Sequence, residues 1–219
     1  MIRYAKLKDL DGKKFKILHA EIANYHKKMD YFFDWSRQWE YPWILKNVPF
    51  KKKYKVLDVG GGISHFPSIV AKRVNQVTIG DMYHERMFKT EQKNVDFKKV
   101  DISTYESDEK YDVVVCISVL EHVDNYLNAL INLKKLVKKG GYLAITLDLF
   151  LDNFKPCMKK DIPEIIRILG KDFDLGNIDL SEDVLYEKIK LQEMKFDMPN
   201  LYSKNYKNRT SLGIIVKKL

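Results

Sequence analysis

"VLDVGGGISHFP", residues 56–67, is the stretch whose reading decides the fold. An apolar run ends on an aspartate, three glycines follow, and a helix-like pattern begins. A short apolar run with a glycine stop reads as a buried strand. Glycines at its end let the backbone turn sharply and come close to another group. Ser64 is the expected N-cap of the next helix, with Pro67 in its first turn. Strand, glycine turn and helix make a nucleotide-binding arrangement. The glycines alone do not say which nucleotide.

Outward from this stretch, strands and helices alternate. "QVTIGD" (76–81), "VDFKKVDI" (95–102), "YDVVVCISVL" (111–120) and "YLAITLDL" (142–149) read as strands. "ERMFKTEQKN" (85–94), "NYLNALINLKKLVKKGG" (125–141) and "IPEIIRIL" (162–169) read as helices, the second closing on lysines and glycine. "TSLGIIVKKL" (210–219) reads as a last strand. The alternation predicts an α/β fold: a Rossmann-like, doubly wound, mostly parallel seven-stranded sheet with an antiparallel last strand. Residues 1–53 are expected to form a basic, aromatic-rich helical cap, and residues 54–219 the main domain. Residues 171–210 carry no clear pattern.

In such a sheet, ligands bind beyond the carboxyl ends of the strands. Four strand ends carry a polar or glycine signal. Asp58 stands two residues before Gly60, Gly61 and Gly62. A dinucleotide turn would be G-x-G-x-x-G, and the third glycine place is His65. A carboxylate beside a pyrophosphate is unfavourable, whereas it suits an ammonium or a sulfonium. That disfavours NAD and favours S-adenosylmethionine. Asp81 closes the second strand, placed to accept both ribose hydroxyls, with Met82 a soft wall for the adenine. Asp101 can accept the adenine amino group and Ile102 can cover the ring. Ser118, at the end of the fourth strand, faces the reacting end.

With "DVGGGIS", "GD" (80–81), "VDI" (100–102), "YDVVVCISVLEHV" (111–123) and "LKKLVKKGGYLAIT" (133–146) in this order, the chain resembles the class I S-adenosylmethionine-dependent methyltransferases of the small-molecule type. Ser64 stands where that family's last motif glycine usually falls. The resemblance implies that Asp58, Gly60, Gly61 and Gly62 hold the methionine end, that Asp81 binds ribose, that Asp101 and Ile102 bind adenine, and that Ser118 lines the methyl-donor side. S-adenosylhomocysteine is then the product.

The donor is already activated, so positioning supplies much of the rate. A base is needed only where the accepting atom must lose a proton. His122, after the fourth strand, is the candidate, and His65 in the turn can reach cofactor or acceptor. The aromatic stretch 31–47 holds Trp35, Trp39 and Trp43 at helical spacing. Tyr31, Phe32, Trp35, Trp39 and Tyr41 can form an acceptor wall, and Arg37 can pair with the cofactor carboxylate. Packing of the tryptophans on the sheet is the simpler account of most of that face.

Composition narrows the classes. The 219 residues, 45% hydrophobic and 32% charged, suit a soluble globular chain without a membrane span or secretory signal. Cys116 and Cys157 are too few for a disulfide framework, and a cytoplasmic setting is expected. No His/Cys cluster has zinc spacing, and no metal is expected. The net charge of +9 sits mostly in residues 1–55, with 14 Lys and Arg against 6 Asp and Glu. Only six of the 39 basic residues are arginines. That favours a solvated lysine surface over nucleic-acid readout. The expected activity is methyl transfer to a small-molecule acceptor, such as a hydroxyl of a sugar or metabolite. The alternatives are an RNA methyltransferase using the basic N-terminal segment and a non-catalytic S-adenosylmethionine-binding protein.

Overall fold

The computed structural model describes residues 1–28, 35–62, 64–82, 90–150, 158–181 and 209–219. Its strands are β1 (Ile2–Tyr4), β2 (Lys55–Val59), β3 (Gln76–Asp81), β4 (Val95–Lys99), β5 (Tyr111–Ile117), β6 (Val137–Phe150), β7 (Phe173–Asp174), β8 (Ile178–Asp179) and β9 (Arg209–Lys218). Its helices are α1 (Lys13–Lys28), α2 (Trp35–Asn47), α3 (Phe66–Ala71), α4 (Tyr126–Leu136) and α5 (Ile162–Leu169). The expected helix over 85–94 falls mostly on residues outside those described.

The strands form one sheet in the order β4-β3-β2-β5-β6-β9-β1-β8, with β7 also paired to β9. The pairs from β4 to β6 are parallel, and β9 runs antiparallel to β6. The Rossmann-like sheet is therefore present, with nine strands among the described residues where seven were expected. The seventh place in the row is taken by β1, from the N-terminal segment expected to be only helical. β1 pairs antiparallel with β9 through Ile2 and Ile214, and its own Ile2 and Tyr4 are buried. The apolar alternation of just three residues was too short to announce a strand.

The pleat sends alternate residues to opposite faces. Leu57, Val59, Val114 and Cys116 join α4 and α5 in one core. Val56, Val113, Val115 and Ile117 join α1, α2 and α3 in the other. Helices thus cover both faces, as continuous apolar strands such as β5 require. α2 passes through Pro42 without ending. Its Trp43 lies on Gly213 of β9, where even a methyl group would stand 2.4 Å from the indole. Trp39 stacks on Trp43 at 5.0 Å and donates its indole N–H to Asp9 at 3.0 Å. Both tryptophans dock α2 on the sheet.

The chain leaves β2 towards β3 and β4, then crosses back to β5 and β6. The reversal opens a crevice at the carboxyl ends of β2 and β5, the switch point where doubly wound sheets bind ligands.

Candidate active site

At that crevice lies a cavity of about 210 Å³ lined by Arg37, Tyr41, Asp58, Gly60, Gly61, Gly62, Ser64 and Ile117. Each wall has a local cause. β2 ends on Asp58 and Val59, and the chain then turns with Gly60 at φ +70° and Gly62 at φ +50°. A β-carbon on Gly60 would meet a Val119 methyl at 2.3 Å, so the turn and the end of β5 approach each other only through glycine. The Gly60 N–H donates to the Gly80 carbonyl at 2.7 Å, and the Gly62 N–H donates to Asp81 Oδ2, also at 2.7 Å. Asp81 thereby ties the turn to the end of β3.

The expected N-cap differs. α3 starts at Phe66, its N-cap is His65, and no side chain caps it. Ser64 instead shares a hydrogen bond with Tyr41, whose hydroxyl burial pushes up to about 12. Pro67 does lie in the first turn. His65 is buried and is not among the lining residues. Its ring packs against Tyr25 and His26 of α1 at 5.4 and 5.5 Å. Burial, with His65 nearby, lowers His26 to about 4. His65 thus belongs to the packing that seats α1 against the turn.

The second wall is α2. Helical spacing splits its faces: Trp39 and Trp43 go to the sheet, while Arg37, Glu40 and Tyr41 go to the crevice. Glu40 is fully buried and both its oxygens are engaged. Oε1 accepts from the Ser118 hydroxyl at 2.6 Å, and Oε2 accepts from Arg37 Nη1 at 2.5 Å. Burial would lower the Arg37 guanidinium, but Glu40 outweighs it and the group is raised. Ser118, at the end of β5, has φ +47° and is the one non-glycine residue in the left-handed region among those described. Strained backbone of this kind persists where its surroundings hold it, often at functional sites.

The electrostatics are dominated by carboxyls. Asp58 is 2% exposed, and its Oδ2 has no hydrogen-bond partner among the described residues. Burial and then the charge of Asp81 raise it to about 8, against the pull of Arg37. Glu121 lies in the turn Leu120–His122 that follows β5. Its Oε1 accepts the Asp148 N–H at 2.9 Å, its Oε2 is buried without a hydrogen-bond partner among the described residues, and burial raises it to about 7. Arg37 is the only cation among the cavity's lining residues. No cluster of His, Cys, Asp and Glu suited to a metal ion occurs among the described residues.

Of the residues singled out in the sequence, Arg37, Asp58, Gly60, Gly61 and Gly62 line the cavity. Asp81 adjoins it through Gly62, and Ser118 is linked to the lining residue Arg37 through Glu40. Met82 is 64% exposed. Asp101 is exposed and turned on its own loop, its Oδ1 accepting the Ser103 N–H at 2.9 Å. Ile102 is buried within the α4-side core. His122 is exposed. The side chains of Tyr31, Phe32 and Trp35, and the residue Cys157, lie outside those described. Glu40 and Glu121 were missed. Nothing in the local pattern marks Glu40, since oppositely charged residues at i,i+3 are common on exposed helix faces.

A family model described as a methyltransferase domain matches residues 25–208, most of the chain. The chain belongs to the class I S-adenosylmethionine-dependent methyltransferases. S-adenosylmethionine is the cofactor of this methyltransferase. It is 27% identical over 161 residues to an uncharacterized protein of Methanocaldococcus jannaschii, covering 73% of this chain and 68% of that one. Over 101 residues it is 33% identical to the ubiquinone biosynthesis O-methyltransferase of Rickettsia akari, which is 43% of the methyltransferase and 40% of that relative. Among solved structures, coclaurine N-methyltransferase bound to N-methylheliamine and SAH has a TM-score of 0.56 at 18% identity, over 83% of this chain and 73% of that one. The cyclase SpnF has a TM-score of 0.58 at 16% identity, over 81% and 80%. These two likenesses are of fold alone, and their different named reactions show that the fold does not choose the chemistry. No helix among the described residues of the methyltransferase is long and apolar enough to cross a membrane.

Proposed function

We propose that this methyltransferase transfers the methyl group of S-adenosylmethionine to a hydroxyl of a small molecule. The observation that carries the reading is the cavity at the glycine turn, whose lining holds one buried carboxyl, Asp58, and one arginine. A desolvated carboxyl without a hydrogen-bond partner, such as Asp58, favours a cationic sulfonium or ammonium. The same lining disfavours a polyanion. The O-methyltransferase name of the Rickettsia akari relative supports oxygen as the accepting atom.

In this reading the glycine turn and Asp58 hold the methionine end, and Arg37 takes its carboxylate. Asp81 accepts the ribose hydroxyls. Met82, Asp101 and Ile102 form the adenine side, and Ser118 lines the methyl-donor side. Residues 1–53 act as a cap whose α2 closes the site, and residues 54–219 form the cofactor-binding domain. The buried free thiol of Cys116 fits a cytoplasmic setting.

The departing proton goes to His122, exposed in the turn that follows β5. A second reading puts it on Glu121, because that carboxyl is raised to about 7 and its Oε2 has no hydrogen-bond partner among the described residues. The test is release of S-adenosylhomocysteine from panels of sugars, polyols, phenols and RNA. The account expects turnover with a small hydroxyl acceptor. His122→Ala should lower kcat about a hundredfold with little change in cofactor affinity. If Glu121→Gln does so and His122→Ala does not, the base is Glu121. Methylation of RNA alone, with salt-sensitive binding, would replace this reading with the nucleic-acid one.

A further inference from the structure

Glu40 comes from the N-terminal segment, 78 residues in sequence from Ser118, yet it is the group that joins two walls of the site. Its side chain is 0% exposed. A buried carboxylate carries a large desolvation cost unless its partners offset it. Among the described residues the compensation comes from two site residues, the Arg37 guanidinium on Oε2 and the Ser118 hydroxyl on Oε1. The geometry does more than satisfy a charge. Arg37 has three rotatable carbon–carbon bonds, and a second anchor on its guanidinium fixes where that group stands over the cavity. Ser118 holds a left-handed backbone, at φ +47°, that is unfavourable for a residue with a β-carbon. The hydroxyl contact to Glu40, together with the Ser118 N–H on the Thr146 carbonyl at 3.0 Å, holds it there. Val119, next in the chain, is the residue against which Gly60 packs. One carboxylate therefore registers the arginine, the end of β5 and, through Val119, the glycine turn.

We propose that Glu40 is a positioning residue for cofactor binding: it sets Arg37 and Ser118 in the places from which they meet the methionine end of S-adenosylmethionine. This rests on the placement of the cofactor proposed above. Glu40 itself does not touch the ligand. Its effect passes through its two partners, and this separates it from a residue that merely holds α2 to the sheet, a task already done by Trp39 and Trp43.

The test uses the full chain and calorimetric titration with S-adenosylmethionine and, separately, S-adenosylhomocysteine. Glu40→Gln keeps the size and an acceptor for Ser118 but removes the charge that holds Arg37. It should weaken both ligands by about tenfold and by the same factor, since a charged hydrogen bond to Arg37 is lost and only part of that loss is passed on to the ligand. Arg37→Gln should weaken them at least as much, and the double variant should lose little beyond Arg37→Gln alone. A lowered melting temperature with unchanged affinities, or strictly additive losses, would overturn the proposal. So would a larger loss for S-adenosylmethionine than for its product, because that would place Glu40 against the sulfonium. If Glu40→Gln does not fold, Arg37→Gln and Ser118→Ala decide, because Glu40 is hydrogen-bonded to both side chains. Coupling between their effects supports the proposal, and independence defeats it. Asp81→Ala is the control. If it abolishes binding while Glu40→Gln does not weaken it, only the role of Glu40 fails. If neither matters, the cofactor placement fails.

Discussion

The two ends of the proposed cofactor site are built differently. At the β2–β5 end, Asp58 and the α2 residue Glu40 are buried beside Arg37, and the carboxyl of Asp58 is forced up to about 8 by burial and Asp81. At the β3–β4 end, Met82 and Asp101 stand in solvent at the described strand ends. In the sequence, Asp58, Asp81 and Asp101 look equivalent, each an acid at the end of a strand. Their surroundings make them unequal. A charge contact is worth several times more in an enclosed site than against water. The enclosed end should therefore carry most of the affinity, and the open end should adjust it.

The largest effect should come from Gly60→Ala. The substitution puts a β-carbon on a left-handed residue and drives it into Val119. Strain and overpacking together should cost about 3 kcal/mol. A melting curve should fall by roughly 10 °C, with cofactor binding lost. A variant that melts and binds like the parent would mean that turn and β5 are not held together as described. Asp81→Ala comes next. It removes the acceptor for the Gly62 N–H and the proposed ribose contact at once. Affinity for S-adenosylhomocysteine should fall roughly a hundredfold, and an unchanged value would remove the ribose assignment. Asp101→Ala and Met82→Ala should be smallest, each under about fivefold, because both side chains already exchange their contacts with water. A loss at Asp101 equal to that at Asp81 would erase the distinction between the ends.

The fold was legible because it is written in periodicity and glycine. "VLDVGGGISHFP" and "YDVVVCISVL" hold a strand–turn–helix and a fully buried strand whatever surrounds them. β1 was not legible: Ile2 and Tyr4 are apolar at spacing two, but three residues cannot establish a period, and the partner β9 lies more than 200 residues later. Asp58 and the glycines after it, which line the cavity, stood out for the same reason as the strands. Glu40 was not, because its burial depends on α2 lying over Ser118, a contact with no local signature. Glu121 was overlooked beside His122. The sequence shows which of the two titrates near neutrality in water, and only the packing raises the carboxyl into the same range.

The enclosed end is the centre of the account, and its acid–base behaviour tests it most directly. Asp58, raised to about 8, holds its proton at pH 7 in the free protein. A bound sulfonium favours the charged carboxylate, lowers that value and releases the proton. Affinity for S-adenosylmethionine should accordingly rise with pH from about 6 to 8 and then level off. Titration calorimetry at pH 7 in two buffers of different ionisation enthalpy reads the proton directly. S-adenosylmethionine should release most of one proton, S-adenosylhomocysteine clearly less, and Asp58→Asn none with either ligand. A binding heat independent of buffer in the parent, or a release that survives Asp58→Asn, would contradict the placement of the sulfonium at the enclosed end.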